Sequence, residues 1–182
     1  ASAKGRAHGK NRVTIRQNKK RYEQVTMDQD EVWTFTVGMY GRDGVAKLCL
    51  ELQERCGLDV NMLLFMFFLG QKGLAPHSVS ALEEAVRDWR DNVIVPLRQT
   101  RRFLRDDPRA TAQELRQKVK SDELQAERIE QHILCDAVTP IPSDDPFAGA
   151  RAYLSPTRFD LEQGECDQAL NRLISLMGLV AA

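Results

Sequence analysis

The chain has 182 residues, 42% of them hydrophobic, and its 26 basic and 26 acidic side chains leave no formal net charge. That points to one domain with a real core. The longest apolar run, Val60 to Leu69 with only Asn61 polar, is about half of the ~20 residues a bilayer-spanning helix needs, which argues against a membrane span.

The zero charge hides an asymmetry. Residues 1–26 hold eight Lys/Arg and one acid, so an arm of +7 is attached to a body of −7. The arm lacks the apolar stretch of a secretory signal and reads as a solvated, disordered tail, or as residues upstream of a start at Met27. Phosphate binding without sequence preference is its sharper reading. The acidic body opposes that, and only Tyr22 interleaves the charges, so no specific nucleic acid is expected.

Between Asp30 and Tyr40 apolar residues alternate as in a strand, but a lone strand has no partner. A helix with Trp33, Val37 and Tyr40 on one face is expected instead. Asp43 should cap a helix running to about Arg55 and stopped by Gly57, with Val45, Leu48, Cys49 and Leu52 inward. Asp59 should cap the all-round buried helix that follows, ended near Lys72 by Gly73 and Pro76. The two should pack as a hairpin over residues 44–72.

Ser80 and Glu83 form a capping-box pattern before the stripe Leu82, Val86, Trp89, Val93 and Leu97. Pro96 should kink or break that helix. The basic patch Arg98, Arg101, Arg102 and Arg105 beyond it reads as a solvated face, with an anion site as the alternative. Thr111 and Glu114 repeat the capping-box pattern ahead of a charged helix over 112–137 carrying Leu115, Val119, Ala126, Ile129 and Ile133. The expected architecture is all-α: a single-domain bundle of about five helices with a buried central hairpin. Residues 1–26 are the arm, 27–138 the helical core and 139–164, with four prolines, a loop. Residues 165–182 form a terminal helix packing on the core.

Cys49, Cys56, Cys135 and Cys166 form no CxxC pair, and Cys49 and Cys56 would sit about 10 Å apart along a helix. Reduced thiols in a cytoplasmic protein are expected. His8, His77 and His132 lack metal-ligand spacing, so neither a metal site nor a cofactor is expected. No nucleophile–His–acid set, phosphate loop or dinucleotide fingerprint is present. The candidate site residues are Gln53, Asp59, Asn61, Glu127 and Glu130. Asn61 precedes eight consecutive apolar residues and must find a partner when buried. Gln53, across the hairpin, would make a polar clasp with it. In the competing reading Gln53, Asp59 and Asn61 form one wall of a pocket facing Glu127 and Glu130, two carboxyls that can split acid and base roles.

One stretch is recognisable as a pattern: Trp33-x-Phe35, Tyr40, Gly44-Val45, Cys49-Leu50-x-Leu52-Gln53, Gly57-x-Asp59-Val60-Asn61 and Leu63-Leu64-Phe65. With Val95-Pro96-Leu97-Arg98 and the Glu123–Gln131 stretch, it resembles a family of small proteobacterial proteins defined only as a domain of unknown function, over residues 28–138. The resemblance implies a bacterial, cytoplasmic, helical protein and supplies no activity, cofactor or catalytic residue. Absent catalytic motifs and amphipathic helices favour a non-enzymatic interaction or scaffold protein with a protein partner. The alternative is a helical enzyme or small-ligand-binding protein with a polar pocket around Gln53, Asn61 and Glu127. A filled core would support the first; a pocket lined by Asn61 and Glu127 would support the second.

Overall fold

Helix α1 (Gln29–Tyr40) begins at Asp28, whose carboxylate accepts from the Asp30 and Glu31 amides at 2.9 and 3.1 Å, donors that a helix start otherwise leaves unpaired. The computed structural model describes residues 26–180, so the basic arm lies outside the described residues except for Thr26. The helical reading of residues 30–40 holds. Val32 and Thr36 are buried in the core, which leaves Trp33, Val37 and Tyr40 on a different face.

Helix α2 (Val45–Cys56) starts at Gly44, in the left-handed region at φ 83°, with no side-chain cap. The expected Asp43 cap is therefore corrected: a glycine turn makes the entry. Gly57, at φ 72°, ends α2. Asp59 does cap α3 (Val60–Gln71), accepting from the Met62 amide at 3.2 Å. Every residue of α3 from Asn61 to Gly70 is buried. The reason is its surroundings, since α1, α6, α7 and β1, defined below, pack on it along with α2. The α2–α3 hairpin is thus one contact of α3 among several.

Strand β1 (Leu74–Pro76) pairs antiparallel with β2 (Pro140–Pro142), Ala75 opposite Ile141. Helix α4 (Val79–Trp89) is capped by Ser78 through the Ala81 amide at 3.1 Å, not by the expected Ser80–Glu83 box. Ser80 and Glu83 instead receive Arg158, at 3.0 and 3.3 Å. A five-residue π turn, Arg90–Ile94, joins α4 to α5 (Val95–Phe103), and the Val95 amide bonds back to the Arg90 carbonyl. Pro96, in the first turn of α5, brings no amide to the ladder, and the wide turn accommodates its ring. The inserted residue also rotates the stripe. Ile94 is buried, while Val93 and Leu97, expected inward, are half-buried.

Helix α6 (Ala110–Ala137) follows a short 3-10 turn, Leu104–Asp106, and has no side-chain cap. The Thr111–Glu114 box does not form. Gln113 donates instead to the carbonyls of Leu104 and Asp107, at 3.0 and 2.6 Å. Three polar residues, Glu123, Glu130 and Gln131, lie on the buried face of α6, whereas Leu115 is exposed.

Residues 139–164, read from their prolines as a loop, carry β2 and the short helix α7 (Ala148–Tyr153). Small residues let α7 press onto α3, where Gly149 faces Pro76 and Met66. Helix α8 (Gln163–Leu176) has the capping box Glu162–Glu165 and buries Cys166, Ala169, Leu170 and Leu173. The described residues are mostly helical with one small two-stranded sheet, and no helix among them is long and apolar enough to cross a membrane. All four cysteines are free thiols, and burial pushes the Cys49 thiol up to about 12, which makes it an inert core group.

Candidate functional site

The polar face of α6 meets Asn61 at the start of α3. Its side-chain amide donates to the Glu130 carboxyl at 2.7 Å and to the Glu127 carbonyl at 3.1 Å. Gln131 closes the cluster with longer bonds to the Asn61 carbonyl and side-chain oxygens, 3.3 and 3.4 Å. The clasp expected between Asn61 and Gln53 is corrected: Asn61 fastens α3 to α6, and Gln53 lines a cavity instead. Asn61→Leu should cost about 1–3 kcal/mol, because Glu130 loses its donor while staying buried. In urea unfolding, a double-mutant cycle with Glu130→Leu should show coupling, and one with Gln53→Leu simple additivity.

Gln53, Asp59, Asn61, Glu127 and Glu130 all line one cavity of about 240 Å³. The structure therefore brings together every candidate residue of the sequence reading. Its far wall is the π turn and α5, which contribute Arg90, Ile94, Arg98 and Arg102. A second cavity of about 590 Å³ adjoins it, walled by Trp33, Val37, Tyr40, Leu64 and Leu124. Gln53, Val60, Asn61, Arg98, Arg102 and Glu127 line both, so the two cavities share a wall. Both mix apolar and charged groups, and the larger is also lined by Arg101, Arg105, Lys120 and Glu123.

The charged groups are sorted by depth. Arg98 donates to Glu123 and Glu127, both at 3.0 Å, and Arg101 pairs with Glu123. Half the basic patch is thus held by acids of α6. Burial pushes the Glu123 carboxyl up, but hydrogen bonds and charge from Arg101 and Arg98 more than offset this and hold it below its ordinary value. Glu127 moves the other way: burial pushes its carboxyl up by more than Arg98 lowers it, and the charges of Glu123 and Asp59 add to the rise.

Deepest of the charged groups is Glu130, 1% exposed, with Asp59 beside it at 7%. Burial and the Asp59 charge push the Glu130 carboxyl up to about 9. Asp59 Oδ2 and Glu130 Oε1 are buried and accept no hydrogen bond from any protein donor. Arg90 faces the pair but spends its Nε on Asp91, at 3.1 Å. On the other side, Tyr153 Oη accepts from the Asp59 amide at 3.0 Å.

Such a site can accept a hydrogen-bond donor. Among the described residues no group of three or more His, Cys, Asp or Glu is arranged to hold a metal ion. Trp33 and Tyr40 were not singled out as site residues in the sequence, though the shared helical face of Trp33, Val37 and Tyr40 was a usable signal, and Arg98 was marked only as part of the basic patch. Arg90 gave none, because the π turn sets its direction. The family described as Protein of unknown function (DUF2390) matches residues 31–134, a span that includes all five candidate residues. No curated protein and no solved structure matches the chain.

Proposed function

The chain belongs to the DUF2390 family of proteins of unknown function, and on that premise we propose that it binds a small, elongated organic molecule in the cleft between α1, α2, α3, α5 and α6. The observation that carries this reading is that two neighbouring cavities share six lining residues, Val60 and Asn61 among them. A ligand with an apolar body against Trp33, Tyr40 and Leu64 would bring a polar head to Asn61, Asp59 and Glu130. Concave sites that are mostly apolar with a few convergent polar groups are the usual form of small-molecule sites. The interaction-protein reading draws support from Phe103, 84% exposed at the end of α5, but a single exposed side chain is ordinary on a protein surface.

The test is a fluorescence titration of the folded protein with N-phenyl-naphthylamine, a neutral apolar probe. Saturable one-to-one binding that quenches Trp33 is expected. Val60→Trp adds bulk at a residue that lines both cavities and should abolish it with the circular dichroism unchanged. Absence of saturable binding to the wild type, or full binding by a folded Val60→Trp variant, would remove the reading.

A further inference from the structure

Resting on the small-molecule reading of the cleft, we propose that its ligand is an alkyl or arylalkyl phosphate monoester, the phosphate received by Arg105 and Lys120 at the end of the larger cavity away from Asn61. The placement follows from an interrupted ladder. Ion pairs join α5 to α6 in antiparallel register: Arg98 with Glu127, then one turn on along α5 and one turn back along α6, Arg101 with Glu123. One turn further in the same directions come Arg105 and Lys120. Both are exposed and both line the larger cavity. Among the described residues neither is in an ion pair with an acid. Where an acid would continue the ladder, α6 carries a second base.

Charge is unbalanced at the same place, although the body as a whole is acidic. Five bases and three acids line the larger cavity. All three acids are engaged: Glu123 and Glu127 by Arg98 and Arg101, and Glu54 by Arg102 at 3.4 Å. The two positive charges in excess therefore rest on Arg105 and Lys120. The turn that carries Arg105 is held to α6 before any ligand arrives, because Gln113 donates to the Leu104 carbonyl at 3.0 Å. A phosphate monoester carries close to two negative charges near neutral pH and matches both bases, whereas a carboxylate carries one. The guanidinium fork and the ammonium both suit phosphate oxygens.

The other wall sets the body of the ligand. Val37, Leu50 and Leu124 are large apolar side chains left exposed, and all three line this cavity beside Trp33 and Tyr40. Apolar surface gathered at one concave place and rimmed by charge is the form of a binding groove. Lys120 precedes Glu130 by ten residues, about 15 Å along α6, so the phosphate and the Asn61 end stand at opposite ends of an elongated molecule.

Isothermal titration calorimetry of the full chain with octyl phosphate, octanoate and octanol, each below its critical micelle concentration in a phosphate-free buffer, tests the assignment. Octyl phosphate should bind at least about tenfold more tightly than octanol, with octanoate between them. Added salt should shrink that advantage without weakening the alcohol. Lys120→Glu supplies the acid that would continue the ladder; the variant should keep octanol binding and lose the advantage of the phosphate. Arg105→Gln, at an exposed side chain with no ion pair to lose, carries the same expectation. Phosphate bound no more tightly than the alcohol, octanoate bound as tightly as the phosphate, or an advantage that survives Lys120→Glu overturns the phosphate site and leaves the cleft. Failure of all three compounds and of the neutral naphthylamine probe to bind overturns both.

Discussion

Gly70→Ala is expected to destabilise the protein by about 3 kcal/mol, the upper end of what overpacking costs. A Cβ at this position in the last turn of α3 would stand 1.7 Å from the Pro146 carbonyl oxygen and 2.7 Å from its carbon. These are backbone atoms, so relief requires moving the segment that leads into α7, and with it the packing of Phe147 against Phe67, ring centroids 6.3 Å apart. Glycine in a helix normally loses to alanine by about 1 kcal/mol, so the sign here is the reverse of the usual one. Gly38, exposed in α1 with nothing within 4 Å of its missing Cβ, is the matched control, and Gly38→Ala should raise the urea midpoint. A Gly70→Ala midpoint at or above the wild type would show that α7 does not press on α3 as described.

Glu130→Gln should stabilise the protein at neutral and alkaline pH. In the unfolded chain this carboxyl ionises near 4.5, whereas in the fold burial and Asp59 raise it to about 9. Below 4.5 both states carry the proton and the residue contributes no pH dependence. As pH rises from there toward 9 the unfolded chain releases the proton and the folded chain keeps it, so stability falls across this window. The accumulated penalty at pH 7 is on the order of 3 kcal/mol. Glutamine is never charged and still accepts from Asn61 through its carbonyl, while its amide can donate to Asp59, so the penalty disappears. Denaturant unfolding at a series of pH values should show the variant ahead at pH 8 and the two converging near pH 4. A variant less stable at pH 8, or a difference that does not change with pH, would contradict a Glu130 carboxyl kept neutral by its burial.

The main helices were legible because their signals are local. Asp59 capping α3, Gly57 ending α2 and the apolar run itself need no tertiary information. Where the reading departed from the structure, something distant intervened. Ser80 and Glu83 were recruited by Arg158, 78 and 75 residues away. The stripe beyond Trp89 slipped by one position because a π turn was inserted ahead of Pro96, an event that periodicity assumes away. Helix α7 was hidden in a Pro-rich stretch whose small residues become intelligible only once α3 lies beneath them. The site showed the same division. Asn61 was marked by being polar in an apolar run, and Glu127 and Glu130 by their spacing on α6, but the partner of Asn61 is set by which helix crosses α3. The sequence offers no local cue for that crossing.

The proposal to test is that the two cavities act as one cleft with one occupant, and heteronuclear NMR during a titration with the neutral compound phenylbutanol tests it. Trp33 lines the larger cavity and Asn61 is shared by both, whereas the Trp89 indole is bonded to the Ala126 carbonyl at 2.9 Å outside both linings. The account predicts that the Trp33 indole and Asn61 side-chain amide signals shift together and saturate with a single dissociation constant, while the Trp89 indole signal stays in place. Signals that do not move, or that move with two different constants, would contradict it.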